Sequence, residues 1–408
     1  MSKKQVIPAY GKCAELAQVF DNSIRHSLDF WTRPEMMDKE HGGFWLWYDI
    51  NGERMLPFAE WAGKGLVNVL RLLYMHVLVL EREPDNGRVR EQLEIGLAFI
   101  DRYRMPCGNI AGWIDLNGEH FKPGELPSSL PCEVESISPI YTMYIAAEIA
   151  GRIGHSGALA LAEEMYQILE KNAFDHVNGG YYNTMLPHPR TDFSKNLGQN
   201  MHASIGIDRL FKATGKAEYR ERLVWLYRQL SGTVMASGFA YDYMTEDWKL
   251  PVEDIAREQK IPVGHNVEMV WYLEDVAKTL GAEYSPELVR LGERTLGVVS
   301  PTYEFPAMCG LNGELSWRPS FFIWWSQMEA MITAMRIFKR TGNEHYLRLF
   351  WGLAERTYEL LVNPDNGVFY GGYSFERQEH APQGGWAWKG GLHVVRSLME
   401  CNKILKEL

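Results

Sequence analysis

Three histidines, one arginine and two glutamates stand near predicted helix starts in this chain, and together they could move a proton. His202 lies in Gln199-Asn200-Met201-His202, His265 in Gly264-His265-Asn266-Val267-Glu268, and His393 in Trp388-Lys389-Gly390-Gly391-Leu392-His393. Imidazole titrates at ~6.5, so two histidines facing one another can act as acid and base near neutral pH. Arg71 offers a fixed fork that can hold a developing oxyanion. Glu329 can orient a histidine or accept a hydroxyl hydrogen bond. Glu268 follows His265 by three residues, on the same helix face, and can do the same. Such a set, without a carboxylate cluster, fits proton abstraction next to a carbonyl, with an enediolate as intermediate. Three histidines could hold zinc, but no HxH or HxxxH pair is present. Neither a metal nor a cofactor is expected.

The spacing gathers these residues. The interval from His202 to His265 is 63, from His265 to Glu329 it is 64, and from Glu329 to His393 it is again 64. Counting back 64 from His202 reaches Ser138, and a further 67 reaches Arg71. The intervals from Arg71 to Pro84, His202 to Gly215 and Glu329 to Gly342 are each 13, whereas His265 to Gly281 is 16, which predicts a longer helix in that unit. Equivalent positions of a closed toroid lie at equal depth, so Arg71, His202, His265, Glu329 and His393 are predicted to converge. The plainer reading is that each caps its own helix. It accounts for any one of them, since a lone helical histidine is more often structural, but less well for several at one phase of a repeat.

The elements that must position them recur with that same period. A Gly/aromatic/acidic turn appears at Asp38-Lys39-Glu40-His41-Gly42-Gly43-Phe44, at Gly112-Trp113-Ile114-Asp115, at Asp175-His176-Val177-Asn178-Gly179-Gly180-Tyr181 and at Gly238-Phe239-Ala240-Tyr241-Asp242. Looser copies are Gly310-Leu311-Asn312-Gly313 and Asn363-Pro364-Asp365-Asn366-Gly367. Glycines that end helical runs stand at Gly154, Gly215, Gly281 and Gly342. Between these marks lie twelve stretches with apolar residues at three- and four-residue intervals. Strand signals are confined to short aromatic pieces beside the turns, and no linker divides the chain. The pattern predicts one domain over residues 1–408: an all-α (α/α)6 barrel of six helical hairpins, one helix of each inside, with short β pieces in the loops. Periodicity alone also fits an open solenoid.

Composition narrows the class. Hydrophobic residues are 46% and charged residues 23%, the balance of a globular protein. The net charge is −10 with no basic run, which argues against nucleic acid and anionic membranes as partners. Five scattered cysteines without CxxC spacing point to a reduced compartment. The first residues have no apolar core of a signal peptide, and the longest apolar run, near Leu66–Leu80, is too short and polar to span a bilayer. A cytoplasmic location is expected. Aromatics reach 12% with 14 Trp, and exposed Trp faces suit sugars as well as core filling. Trp324, Trp325, Trp386 and Trp388 are placed in loops just before two of the converging helices, at the mouth of a pocket. Trp47, Trp61 and Trp113 are weaker candidates. Asn200 and Gln327 join the substrate-binding set by position. No GxGxxG, GxxxxGK[ST], GxSxG or HExxH motif occurs.

Gly264-His265-Asn266-x-Glu268, Trp324-Trp325-x-Gln327-x-Glu329 and Trp388-Lys389-Gly390-x-x-His393 resemble three motifs of the N-acylglucosamine 2-epimerase superfamily, which includes cellobiose 2-epimerases and mannose or aldose–ketose isomerases. Asp38-x-x-x-Gly42-Gly43-Phe44 resembles its N-terminal signature. The resemblance implies an (α/α)6 barrel and cofactor-free isomerisation or epimerisation at C1–C2 of a reducing sugar. It implies His265 and His393 as the acid/base pair, Glu268 and Glu329 as orienting carboxylates and Arg71 as the pocket arginine. A homodimer is compatible with it. Asn200-Met201-His202 is closer to the aldose–ketose isomerase branch, although Ile205 stands where that branch carries glutamate, and Asn266 where aspartate is commoner. Glu60-Trp61-Ala62-Gly63-Lys64-Gly65 is atypical ahead of the arginine. On this reading His202 helps ring opening or holds a hydroxyl. Two other readings stand beside it: a glycoside hydrolase using Glu268 and Glu329, since such barrels host hydrolases, and a silent sugar-binding protein.

Overall fold

Burial divides the helices into two kinds. In α2 (Leu66–Arg82) every residue from Leu66 to Leu80 is buried, and in α4 (Ile137–Ile153) every residue from Ser138 to Ile149. A helix enclosed on all sides belongs inside. By contrast α3 (Gly87–Phe99) buries only Val89, Gln92, Leu93, Gly96 and Phe99, a single stripe. The same alternation continues through α5 (Ser156–Asn172), α6 (Leu197–Thr214), α7 (Ala217–Ser231), α8 (Val263–Leu280), α9 (Pro286–Leu296), α10 (Trp324–Thr341), α11 (Glu344–Leu361) and α12 (Leu392–Leu405), with α1 (Cys13–Trp31) ahead of them. The computed structural model describes residues 6–57, 62–122, 125, 134–187, 194–251, 261–310, 322–386 and 388–408. Trp61, Cys132 and the Asn312-Gly313 turn lie outside the described residues.

The even-numbered helices form an inner ring in the order α2, α4, α6, α8, α10, α12, which closes where α12 meets α2. Each of the first five packs on the outer helix that follows it, and α1 packs on α12. The fold is the expected (α/α)6 barrel of six paired helices. Among the described residues five of the pairs are consecutive in the chain, and the sixth is built from the first and last helices. The repeat starts at an inner helix, so α1 is the outer partner that α12 lacks in sequence. Asn402 Nδ2 donates to Ala17 O at 3.2 Å and to Asp21 Oδ1 at 2.8 Å across this junction.

Short strands at the rim obey the same rule. Lys64–Gly65 ahead of α2 pairs with Trp113–Ile114 beyond α3, Ile261–Pro262 ahead of α8 with Met308–Cys309 beyond α9, and Phe322–Ile323 ahead of α10 with Gly372–Ser374 beyond α11. Gln383–Gly385 ahead of α12 pairs with Tyr48–Asp49 beyond α1, so the terminal pair is stitched like the hairpins. At the opposite end α4, α6, α8 and α10 stop on Gly154, Gly215, Gly281 and Gly342, all left-handed with φ of 63–69°. Glycine adopts that conformation without steric cost. Helices α6, α8 and α10 each have 18 residues, so the longer helix expected around His265 is absent. No helix among the described residues is long and apolar enough to cross a membrane.

Candidate active site

Equal inner helices set the register from their ends. One interval, 13, separates Tyr141 from Gly154, His202 from Gly215, Glu268 from Gly281 and Glu329 from Gly342, and it also separates His393 from the cap residue Lys406. Arg71 falls one position short of that interval from its own cap, Glu83. Six side chains, one per inner helix, thus share one depth around the barrel axis, and they join in ring order. Arg71 Nη2 donates to Tyr141 Oη at 3.2 Å, and Tyr141 bonds His202 Nε2 at 2.9 Å. His202 Nε2 is 3.7 Å from Glu268 Oε1. Arg396 Nη2 donates to Glu268 Oε1 at 2.8 Å and to Glu329 Oε1 at 2.6 Å. Glu329 Oε1 accepts from His393 Nδ1 at 2.7 Å. His265 is the exception: it stands almost one turn farther from Gly281 and nearer the mouth, and Glu268 takes the ring position in its unit.

The ring forms the floor of a cavity of about 420 Å³, at the lower end of the range that encloses small ligands. Arg71, His202, His265, Glu268 and His393 line it, with Trp324, Trp325, Trp386 and Trp388. Glu329 is fully buried behind His393, where its second oxygen accepts from Trp271 Nε1 at 2.9 Å. Trp324 and Trp325 are the first two residues of α10 rather than loop residues. The Trp325 ring lies 5.4 Å from that of His265 and 5.7 Å from that of His393, flanked by both imidazoles. Trp113 backs Trp388 at 5.4 Å, and Trp47 is in the core.

Asn200 and Gln327 do not reach the cavity. Asn200 accepts from Tyr181 N at 2.8 Å and donates to Tyr181 O at 3.0 Å. Gln327 does the same to Phe305 at 3.1 and 2.7 Å, and Asn266 to Ala240 at 2.9 Å both ways. These amides satisfy backbone groups of the rim turns, a need that buried peptide units impose. Their recurrence beside the histidines reflects the repeat rather than a ligand.

The three histidines sit in different fields. Burial opposes a charge on His265, yet Asp242 lies 2.7 Å from Nδ1 and raises the imidazole to about 9. Burial is the largest single effect, but the charge and hydrogen bond of Asp242, joined by the charges of Glu268 and Glu329, together outweigh it. His393 is pushed well below its ordinary value by burial and by the positive charges of Arg71 and Arg396. It is neutral, with Nδ1–H donated to Glu329 and Nε2 left for a ligand. His202 is lowered to about 4, chiefly by burial. Its Nδ1 faces Gly198 O at 2.6 Å; a carbonyl only accepts, so that nitrogen carries the proton and Nε2 accepts from Tyr141. Burial and Glu329 raise Glu268, but His202 and Arg396 outweigh them and it falls below the usual range.

Ligand atoms of Glu268, Glu329 and His393 lie within 4.8 Å of one another, a spacing that a cation could bridge. The Nη2 of Arg396 bonds both carboxylates there. Tyr141, Asp242 and Arg396 were missed in the sequence. Counting back from Gly154 by the interval of the other units finds Tyr141, whereas counting back from His202 by the repeat period lands on Ser138. Asp242 sits in a rim turn 23 residues before His265, and nothing local connects them.

Residues 140–390 match the family described as N-acylglucosamine 2-epimerase (GlcNAc 2-epimerase). A cellobiose 2-epimerase of Ruminococcus albus is 21% identical over 408 residues, covering 94% of this chain and 97% of that protein. Among solved structures, cellobiose 2-epimerase from Spirochaeta thermophila DSM 6192 superposes with a TM-score of 0.81 at 20% identity, over 98% of this chain and 99% of that one. A D-mannose isomerase gives 0.81 at 19% identity, over 98% and 100%. At these identities the superpositions speak for the barrel alone.

Proposed function

The chain belongs to the N-acylglucosamine 2-epimerase family, and from that premise we propose that its cavity takes the open-chain form of a reducing sugar and moves a proton at C2. The enzyme is a carbohydrate isomerase or 2-epimerase. What carries the mechanism is the contrast between two of the cavity histidines: His265 sits on Asp242 at 2.7 Å, which favours its charged form, whereas His393 is buried beside Arg71 and Arg396, which favours its neutral form. Environments that push two titratable groups apart assign the base and the acid. Nε2 of His393 removes the C2 proton, and the C–H electrons pass into an enediolate across C1 and C2. Arg71 holds the enediolate oxygens. His265 returns a proton to C2 from the other face, giving the epimer, or a proton is returned to C1 while the hydroxyl proton of O2 passes to O1, giving the ketose. Glu329 holds His393 in the tautomer that leaves Nε2 free, and His202 with Tyr141 faces the sugar hydroxyls. The four tryptophans provide apolar faces for the sugar ring.

The hydrolase reading needs one carboxyl held neutral as the acid. Glu268 is displaced the other way, Glu329 does not line the cavity, and both are bound by one guanidinium nitrogen.

The test is proton NMR in D2O with mannose, glucose, lyxose, cellobiose, mannobiose and N-acetylmannosamine. Deuterium entering C2 together with an epimer or ketose supports the proposal and names the sugar; folded protein that exchanges none of them counts against it. His393→Ala should lower turnover about 100-fold or more, the scale of a lost general base, with an unchanged circular dichroism spectrum. Retained turnover would remove His393 from the mechanism.

A further inference from the structure

Three buried lysines occupy one place in the repeat, two or three residues ahead of an inner helix: Lys64 before α2, Lys195 before α6 and Lys389 before α12. Lys64 Nζ donates to Asp38 Oδ2 at 2.7 Å and Gly42 O at 2.9 Å. Lys195 Nζ donates to Asp175 Oδ2 at 2.8 Å and to Gly179 O. The third unit carries Asn363 in the aspartate's place. Its Oδ1 accepts from Asp365 N at 2.9 Å, just as Asp38 accepts from Glu40 N at 3.1 Å and Asp175 from Val177 N at 2.9 Å. Among the described residues Lys389 therefore meets no carboxylate. Its Nζ donates to Phe369 O at 2.6 Å and to Gly384 O, and burial pushes the amine down to about 7.

This departure lies beside the cavity. Lys389 N donates to Trp386 O at 3.0 Å and Trp386 N to Lys389 O at 3.4 Å, closing the turn that carries Trp386 and Trp388. The same turn grips α2. Trp388 O accepts from Arg71 Nη1, and Trp386 O accepts from Asn68 Nδ2 at 2.7 Å. The backbone is seated so closely that a Cβ on Gly390 would stand 2.7 Å from Asn68 Oδ1 and 3.1 Å from Arg71 Cβ. We propose that Lys389 is a positioning residue for the reaction: by fastening this turn to Phe369 and Gly384, it holds the Trp388 carbonyl that fixes the Arg71 guanidinium in the cavity. The inference rests on the role proposed above for Arg71.

The experiment is a double-mutant cycle. Lys389→Met is measured in the wild-type and Arg71→Ala backgrounds, with kcat and KM taken on the sugar found by deuterium exchange. The expected result is a kcat about tenfold or more lower with KM within about twofold in the wild-type background, and no further fall in Arg71→Ala, since residues acting through one another are non-additive. An equal fall in both backgrounds overturns the proposal. If Lys389→Met fails to fold, Lys389→Gln, which keeps two N–H donors, enters the same cycle and should retain more of kcat than Arg71→Ala does; an equal loss counts against the proposal. A crystal structure of the folded variant decides independently of activity. Loss of the Arg71–Trp388 bond supports the tie, and an unchanged bond refutes it. Should the wild type exchange no sugar, the functional reading fails while the crystallographic result still decides the tie.

Discussion

At the scale of single residues the site is a set of paired charges rather than a set of histidines. On the proposed mechanism, Asp242 is what makes His265 an acid. A histidine raised to about 9 stays protonated through neutral pH and loses its proton only as pH rises through that value. His393, lowered, stays neutral until pH falls well below its ordinary ~6.5. Activity needing both forms should be level between these limits and fall on the alkaline side near 9. Asp242→Asn removes the raising charge, so the alkaline limb of a kcat/KM profile should move down toward ~6.5; a limb left in place would mean that His265 is not the acid. Arg396 is the counterpart on the basic side. Arg396→Met would leave Glu268 and Glu329 facing one another in a buried site, with an expected loss of about 3–5 kcal/mol in urea titration. Part of that loss should be recovered at low pH, where the carboxylates take up protons. The histidines, Arg71 and both glutamates were legible in sequence because they fall in or near the repeat phase. Asp242 and Tyr141 were not, since one lies on a different loop and the other looks like a core aromatic of α4.

At the scale of elements, the first two turns of an inner helix have two duties. In α6, α8 and α10 one residue joins the ring at the cavity floor, and the amide two positions before it clasps a rim turn. Gln327 makes two bonds to the backbone of Phe305, and replacing it by alanine leaves that buried N–H and C=O unpaired. The expected cost is about 1–3 kcal/mol, read as a lower melting temperature, with KM for the sugar little changed. A large KM increase without loss of stability would restore Gln327 to the substrate-binding set. Sequence spacing alone could not separate the two duties. Asn200 and His202 differ by two positions, and only the helix start at Leu197 decides which faces the axis. The tryptophans show the same limit, because Trp324 and Trp325 are helical yet still border the cavity.

At the scale of the whole molecule, the ring is completed by its ends. We propose that it folds as one domain, because α12 takes α1 as its outer partner among the described residues. Calorimetry should then show a single transition, and removing residues 1–33 should abolish it, since the apolar face of α12 would be left open; a truncated chain that melts cooperatively would refute this. Helical periodicity, the glycine stops and the regular interval between them settled the all-α class and the sixfold repeat from the chain alone, because each is a local property of backbone conformation and side-chain pattern. The phase of the repeat was also written there, but legible only when counted from helix ends, where glycine marks a geometric event. What the tertiary structure alone decided was closure. Closing the ring put α1 beside α12, and the packing of the units put Asp242 beside His265 and Arg396 between two carboxylates from other helices. Those contacts join residues on different elements, and the protonation states that the proposed chemistry requires depend on burial and charge across them.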